Sequence, residues 1–190
     1  MSRCFTVLRQ LRQIRRYVSM DMFEALVVTL VVTRLDYGNA VLTGLSVYLS
    51  RRLQSVLNAA TRLIFGLRRS NHVSDALVSL HWLCIPQRIQ FTVAVLTYKV
   101  HHGCVPSYLG PFVRVADLPS RRALHFTNTS RLIQPQSNWS TIGDKAFLVA
   151  GPQVWNSLPL EVTSAPSLDT FRRRLKTHLF TVSYSNVQLS

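Results

Sequence analysis

The sequence predicts a mostly α fold: a helical bundle-like domain, a long polar loop, and a basic amphipathic helix at the C-terminus. Three observations carry that prediction. Apolar residues recur at helical spacing between Leu49 and Leu67, the same pattern returns after Ser167, and 47% hydrophobic content over 190 residues supplies a core. The chain divides by composition into a helical domain over 1–114, a polar connecting arm over 115–142, and an apolar block with a basic helix over 143–190.

The first helix is expected over Phe5–Tyr17, with Arg9, Arg12 and Arg16 on one side and Leu8, Leu11 and Tyr17 leaning elsewhere. The first twenty residues hold five arginines and no acid, which describes a nucleic-acid-binding helix and also a mitochondrial presequence. The second helix runs from Asp21 to about Leu35. It contains ALVVTLVV, Ala25–Val32, which ends before Arg34 and falls far short of the roughly twenty apolar residues a membrane span needs. That run reads as buried helix, and no membrane span is expected.

The strongest periodicity follows. Leu53, Val56, Leu57, Ala60, Leu63, Ile64 and Leu67 fall on one arc of about 120°, opposite Arg51, Ser55, Asn58, Arg62 and Arg69. The polar side carries arginine and small residues without any acid, whereas an ordinary solvated face mixes signs to gain ion pairs along the helix. A merely soluble face and a phosphate-tracking face both fit.

Two further helices are expected over Ser74–Leu80 and Pro86–His101, with Pro86 suited to a helix start and Gly103 to its end. In the second, Phe91, Val93 and Val95 alternate in a way that also fits a strand. Between them lies SLHWLCIPQRIQF, residues 79–91, read as a packed corner sealed by the indole, with His81, Trp82 and Pro86 structural. A metal site there would need Cys84 with His101, His102 and Cys104, but no paired C-x₂-C or H-x₃-H spacing occurs, so no metal or cofactor is expected. Cys84 has no nucleophile signature around it either.

The arm from Val115 is polar and without period. After it, KAFLVAGPQVWNSLPLEV brings Trp155 and Leu158 to dock on helical core. In SLDTFRRRLKTHLF, Ser167 is a plausible N-cap and Asp169 sits in the first turn. Leu168, Phe171, Leu175 and Leu179 take one side, with Arg172, Arg173, Arg174 and Lys176 largely on the other.

Twenty-two basic against eight acidic residues give a net charge of +14. The pI is near 11, which points to polyanionic partners. All but Lys99, Lys145 and Lys176 are arginine, whose planar fork suits phosphate and base-face contacts. The candidate phosphate contacts are Arg9, Arg12, Arg16, Arg51, Arg62, Arg69, Arg172, Arg173, Arg174 and Lys176, and the partner expected is RNA, DNA or an RNA–DNA hybrid bound without sequence specificity. Three cysteines at wide spacing, Cys4, Cys84 and Cys104, are no disulfide framework and imply a reducing, intracellular setting, nucleus or cytoplasm. The Asn-x-Ser/Thr matches at Asn128 and Asn138 are then irrelevant.

RLDYGNAVLTGL, LQSVLNAATRLI, LHWLCIPQRIQF, LTYKVHHGCVPSYL, GDKAFLVAGPQVWNSLP and SLDTFRRRLKTHLF, in that order, resemble the region that follows the polymerase domain in LINE-type (non-LTR) retrotransposon reverse transcriptases. The resemblance covers about Cys4 to Phe180. It implies a thumb-like, post-polymerase segment that helps to hold template RNA and growing cDNA, with the rest of the polymerase as a further partner. The family's catalytic Asp-Asp pair is missing from this chain, so a non-catalytic piece is expected. Asp36 in RLDYGN and Asp144 in GDKAF match family positions outside the catalytic motifs and read as capping residues or partners of the base beside them. The chain departs from the family at Gly38 and Cys84, and at Gln134–Asn138, where relatives are basic. The alternative is a translated relic of a truncated element, a helical interaction module or a chain without function, whose stranded apolar run Ala25–Val32 would drive self-association.

Overall fold

Helix starts and stops follow the local chemistry of the chain. The structure, a computed structural model, describes residues 2–106, 109–110, 112–117, 131–135 and 146–185, and these are mostly α. Helix α1, Ser2–Ile14, buries Cys4, Leu8 and Leu11 and tightens into a 3₁₀ turn over Arg15–Tyr17. Helix α2, Met20–Val27, runs through a π turn at Val28–Val32 into α3, Thr33–Asp36. The hydroxyls of Thr29 and Thr33 donate to the carbonyls of Ala25 and Thr29, four residues back. Such back-bonding in a run of β-branched residues loosens the ordinary ladder, the local setting of the widened turn.

Helix α4, Val47–Phe65, starts where Ser46 Oγ accepts from Leu49 N and ends at Gly66, whose φ of 68° is the left-handed conformation of a helix stop. It buries Val56, Leu57, Ala60, Thr61 and Ile64, and α1, α2 and α5 (Ser74–Ser79) pack against it. Helix α6, Ile85–His101, is continuous, so the strand alternative over Phe91–Val95 is corrected. The reason is burial on most sides: Val93, Ala94, Val95, Thr97, Tyr98 and Val100 are all buried, which erases the one-sided stripe that marks a helix in sequence. Three helices complete the described residues, α7 (Phe147–Asn156), α8 (Leu160–Thr163) and α9 (Leu168–Tyr184).

Contacts gather the chain into two units that do not follow the linear division 1–114, 115–142 and 143–190. Unit 1 is 1–38, 45–88 and 180–190, and unit 2 is 39–44 and 89–179. The chain end joins unit 1 because the Tyr184 hydroxyl donates to the Trp82 carbonyl and Phe180 stacks on His81 with centroids 6.0 Å apart.

Unit 2 is built around Tyr98, Trp155 and Phe171, with Trp155 and Phe171 centroids 5.6 Å apart and Tyr98 and Phe171 at 4.5 Å. Gly151 permits a close helix approach, because a Cβ there would lie 2.9 Å from both Thr97 Oγ1 and Phe112 Cζ. The polar arm is not free of the core. Leu132 is buried, forms an antiparallel bridge with Arg114, and exchanges two 2.9 Å hydrogen bonds with the Asn156 amide. Asn128, Gln136–Asn138, Asp144 and Lys145 lie outside the described residues.

Of the run Ala25–Val32, Val27, Val31 and Val32 are buried among the helices of unit 1, Leu26, Val28 and Leu30 are half-buried, and Ala25 and Thr29 are exposed. No helix among the described residues is long and apolar enough to cross a membrane.

Candidate nucleic-acid interface

Residues at spacings of three and four share one helix face, so Arg9, Arg12 and Arg16 form a row along α1 and its 3₁₀ end. On α4 the same logic aligns Ser55, Ala59 and Arg62. Packing of α1 on α4 sets these rows facing each other across an open groove of about 740 Å³, closed at one end by Gly66, Leu67 and Arg69. Phe5, Leu8 and Leu63 supply its apolar floor. Six arginines line it, namely Arg9, Arg12, Arg15, Arg16, Arg62 and Arg69, and no acid does.

Among the described residues no ion pair involves these cations: the pairs are Asp36 with Arg88 and Asp169 with Arg172. Like charges gathered along one groove repel one another, a repulsion that salt screens and that a bound anion would relieve. Arg62 is half-buried, and its Nε is buried without a hydrogen-bond partner. An unsatisfied buried donor costs about 1–3 kcal/mol, more when charged.

Arg15 is different in kind. Its Nε donates to Leu63 O and its Nη2 to Ile64 O, both at 2.8 Å, and its guanidinium lies 6.0 Å from the centroid of Phe23. It therefore satisfies the last carbonyls of α4 and sits at the negative end of that helix dipole. A Cβ on Gly66 would lie in van der Waals contact with Arg15 Nη2 at 3.4 Å, so it is the positive φ of the helix stop that favours glycine here. Sequence reasoning passed over Arg15 because it lies off the Arg9–Arg12–Arg16 row; the available signal was the acid-free run of five arginines itself.

Of the residues expected to meet phosphate, Arg9, Arg12, Arg16, Arg62 and Arg69 come together. Arg51 is exposed on α4 but does not line the groove. Arg172, Arg173 and Lys176 are exposed on α9 in unit 2. There Arg172 lies 3.9 Å from Asp169, and Arg174 Nη1 donates to Glu161 O at 2.7 Å.

The corner at 79–91 is packed. Trp82, Leu83 and Ile85 are buried, while Pro86 occupies the second position of α6, where its missing N–H costs nothing. Gln54 caps that helix, its Oε1 accepting from Ile85 N at 2.8 Å while its Nε2 donates to Asn58. His81 adopts φ 54°, is exposed, and places Nδ1 3.2 Å from Ser79 O. Asp36 pairs with the distant Arg88, whose fork reaches both carboxylate oxygens at 2.8 and 2.6 Å. Trp155 belongs to unit 2 and packs there as core.

Burial pushes the Cys84 thiol above its usual range, against the smaller opposing effect of the Tyr184 hydroxyl, so it stays protonated at neutral pH and is a poor nucleophile. Burial also raises the Tyr184 hydroxyl, with Cys84 adding to the shift. In unit 2, burial and then the Arg114 guanidinium, 3.5 Å from Nδ1, lower the His101 imidazole. Among the described residues no group of three or more His, Cys, Asp or Glu is placed to hold a metal ion. No protein-family model, curated protein or solved structure matches the chain.

Proposed function

We propose that the groove between α1 and α4 binds the phosphate backbone of RNA, DNA or their hybrid without sequence specificity, in a non-catalytic post-polymerase segment of a LINE-type reverse transcriptase. The observation that carries this reading is the convergence of six arginines without a carboxylate, including one whose Nε is buried and unsatisfied. A phosphate oxygen would supply the acceptor that Arg62 Nε lacks and bring counter-charge to the set. Arginine remains charged throughout the biological pH range and offers paired donors to each phosphate, so attraction and hydrogen bonding act together. The order of sequence motifs supports the retrotransposon origin, and the absence of an Asp-Asp pair in the chain supports a role in holding rather than synthesis. The rest of the polymerase is the natural partner of such a segment.

The test is fluorescence anisotropy with a labelled oligonucleotide across salt. Affinity should fall steeply between about 50 and 200 mM salt, and R12A/R62A should reduce the magnitude of the log–log slope by roughly 1.5–2. An unchanged slope in that double variant would remove the groove from the account.

A further inference from the structure

We infer that the groove between α1 and α4 takes a nucleic-acid strand with unpaired bases turned inward, one of them seated on Phe5 inside the groove. The inference rests on the phosphate-binding reading above and deepens it by naming the state of the strand and the face it presents.

Phosphates match only part of this surface. Phe5, Leu8, Ala59, Leu63 and Leu67 line the same groove as the six arginines, so a ligand that offered anions alone would leave an apolar lining uncovered. The ligand that fits carries many negative charges and flat apolar faces together. An unpaired strand has both, whereas a duplex keeps its base faces stacked inside and a fatty acyl anion brings a single charge to six cations. A volume of about 740 Å³ also belongs to the range of pockets that enclose small ligands, enough for a base and its neighbours and not for a double helix.

Helix packing sets where each part would lie. The two 2.8 Å hydrogen bonds from Arg15 to Leu63 O and Ile64 O tie the end of α1 to the end of α4. Phe5 stands ten residues earlier, about 15 Å back along α1 at 1.5 Å per residue, and Ser55 and Ala59 line the groove from the earlier turns of α4. Arg12, Arg16, Arg62 and Arg69 therefore gather toward the joint, and Phe5 takes the far part with Arg9 between. Phe5 and Arg9 are four residues apart and share a helix face, which places ring and guanidinium about 6 Å apart along the axis. A base on the ring thus leaves its phosphate within reach of Arg9. Phe5 keeps 37% of its surface exposed while Leu8, on the same face, is buried. Phe65 is equally exposed at 37% but does not line the groove, which makes it a matched control.

The experiment measures the affinity of the full chain for oligothymidylate, an abasic phosphodeoxyribose strand and a blunt DNA duplex of equal length, and for phosphatidylserine vesicles. The parent should bind oligothymidylate about fivefold or more tighter than the abasic strand, in line with the stacking contribution of a base on an aromatic ring. F5A and F5L should abolish that difference and leave the duplex affinity and the salt slope unchanged, F5W should retain it, and F65A should behave as the parent. The unchanged duplex affinity reports that the groove is still folded in the Phe5 variants, and F5L keeps an apolar side chain should F5A lose it. Equal binding of the two strands by the parent, or full base-dependent affinity in F5A and F5L, overturns the inward-base subsite while leaving the phosphate groove standing. Phe5-dependent binding of the vesicles without a base-dependent difference between the strands overturns it in favour of an acyl anion. Failure of all the nucleic-acid probes to bind overturns both readings.

Discussion

Each unit carries a cationic helix face, and the two use it differently. In unit 1 the arginines of α1 and its 3₁₀ end share a groove with Arg62 of α4 and with Arg69 beyond it, no described carboxylate lines that groove, and Arg62 has a buried Nε left unsatisfied. In unit 2 the cations of α9 spread over the outside of a single helix, with Asp169 beside Arg172 and the Glu161 carbonyl taking Arg174. Beneath α9 lies an aromatic core in which Phe171, Leu175 and Leu179 are fully buried. The same residue type thus serves opposite ends. Charges that diverge into water cost little and do little, whereas charges held together by helix packing remain under repulsion until an anion arrives.

The largest expected effect separates core from site. Trp155→Ala removes the side chain at the centre of unit 2 and should destabilise it by about 3–5 kcal/mol in urea unfolding. If the proposed groove of unit 1 binds nucleic acid, the salt slope of that binding should not move with it.

Next comes Arg15, which sharpens the contrast between a groove-forming and a ligand-facing arginine. Arg15→Ala leaves the end carbonyls of α4 without their charged donor and should cost about 1–3 kcal/mol in thermal unfolding. Arg15→Lys keeps the charge but not the fork and should recover only part of that loss.

Arg62→Met carries a contrary expectation. It keeps the apolar stem and deletes the unsatisfied donor, so the free protein should be unchanged or more stable by up to about 1 kcal/mol, while binding weakens. A loss of stability in Arg62→Met would mean that Nε has a partner and that the groove is less strained than argued.

The smallest effect concerns pH. His101 is held below its ordinary pKa of 6.5 by burial and by Arg114. The unfolded chain therefore takes up a proton first as pH falls through about 6.5, and stability present above that pH is lost below it until the folded imidazole protonates in turn. His101→Gln should flatten the stability profile in that window. Binding in the groove should show no matching dependence, since its cations are all arginine.

Much of this was legible in the chain. The 3.6-residue period of α4 and the Ser167 cap, where Thr170 N donates to Ser167 Oγ at 3.3 Å, follow from local rules, whereas the stop of α4 at Gly66 falls short of Leu67 and Arg69, which the periodicity had placed on the same helix. Five of the six groove arginines were visible as acid-free rows. What escaped were features set by distant partners: the Arg15 clasp on α4, the Asp36–Arg88 pair 52 residues apart, and the docking of Leu132. The period of α6 was blurred because that helix is buried on most of its sides, and a helix wrapped in core has no polar stripe to reveal it. The assignment of the end of α9 to unit 1 was invisible too, because it depends on Tyr184 returning to Trp82.

The most direct test of the convergent groove compares two double variants, R12A/R62A and R172A/R173A, in salt-dependent anisotropy with the same oligonucleotide. If the account is right, R12A/R62A lowers the magnitude of the slope by roughly 1.5–2, and R172A/R173A leaves it nearly unchanged. Equal losses from both, or a loss from the α9 pair alone, would contradict it and move the interface to unit 2.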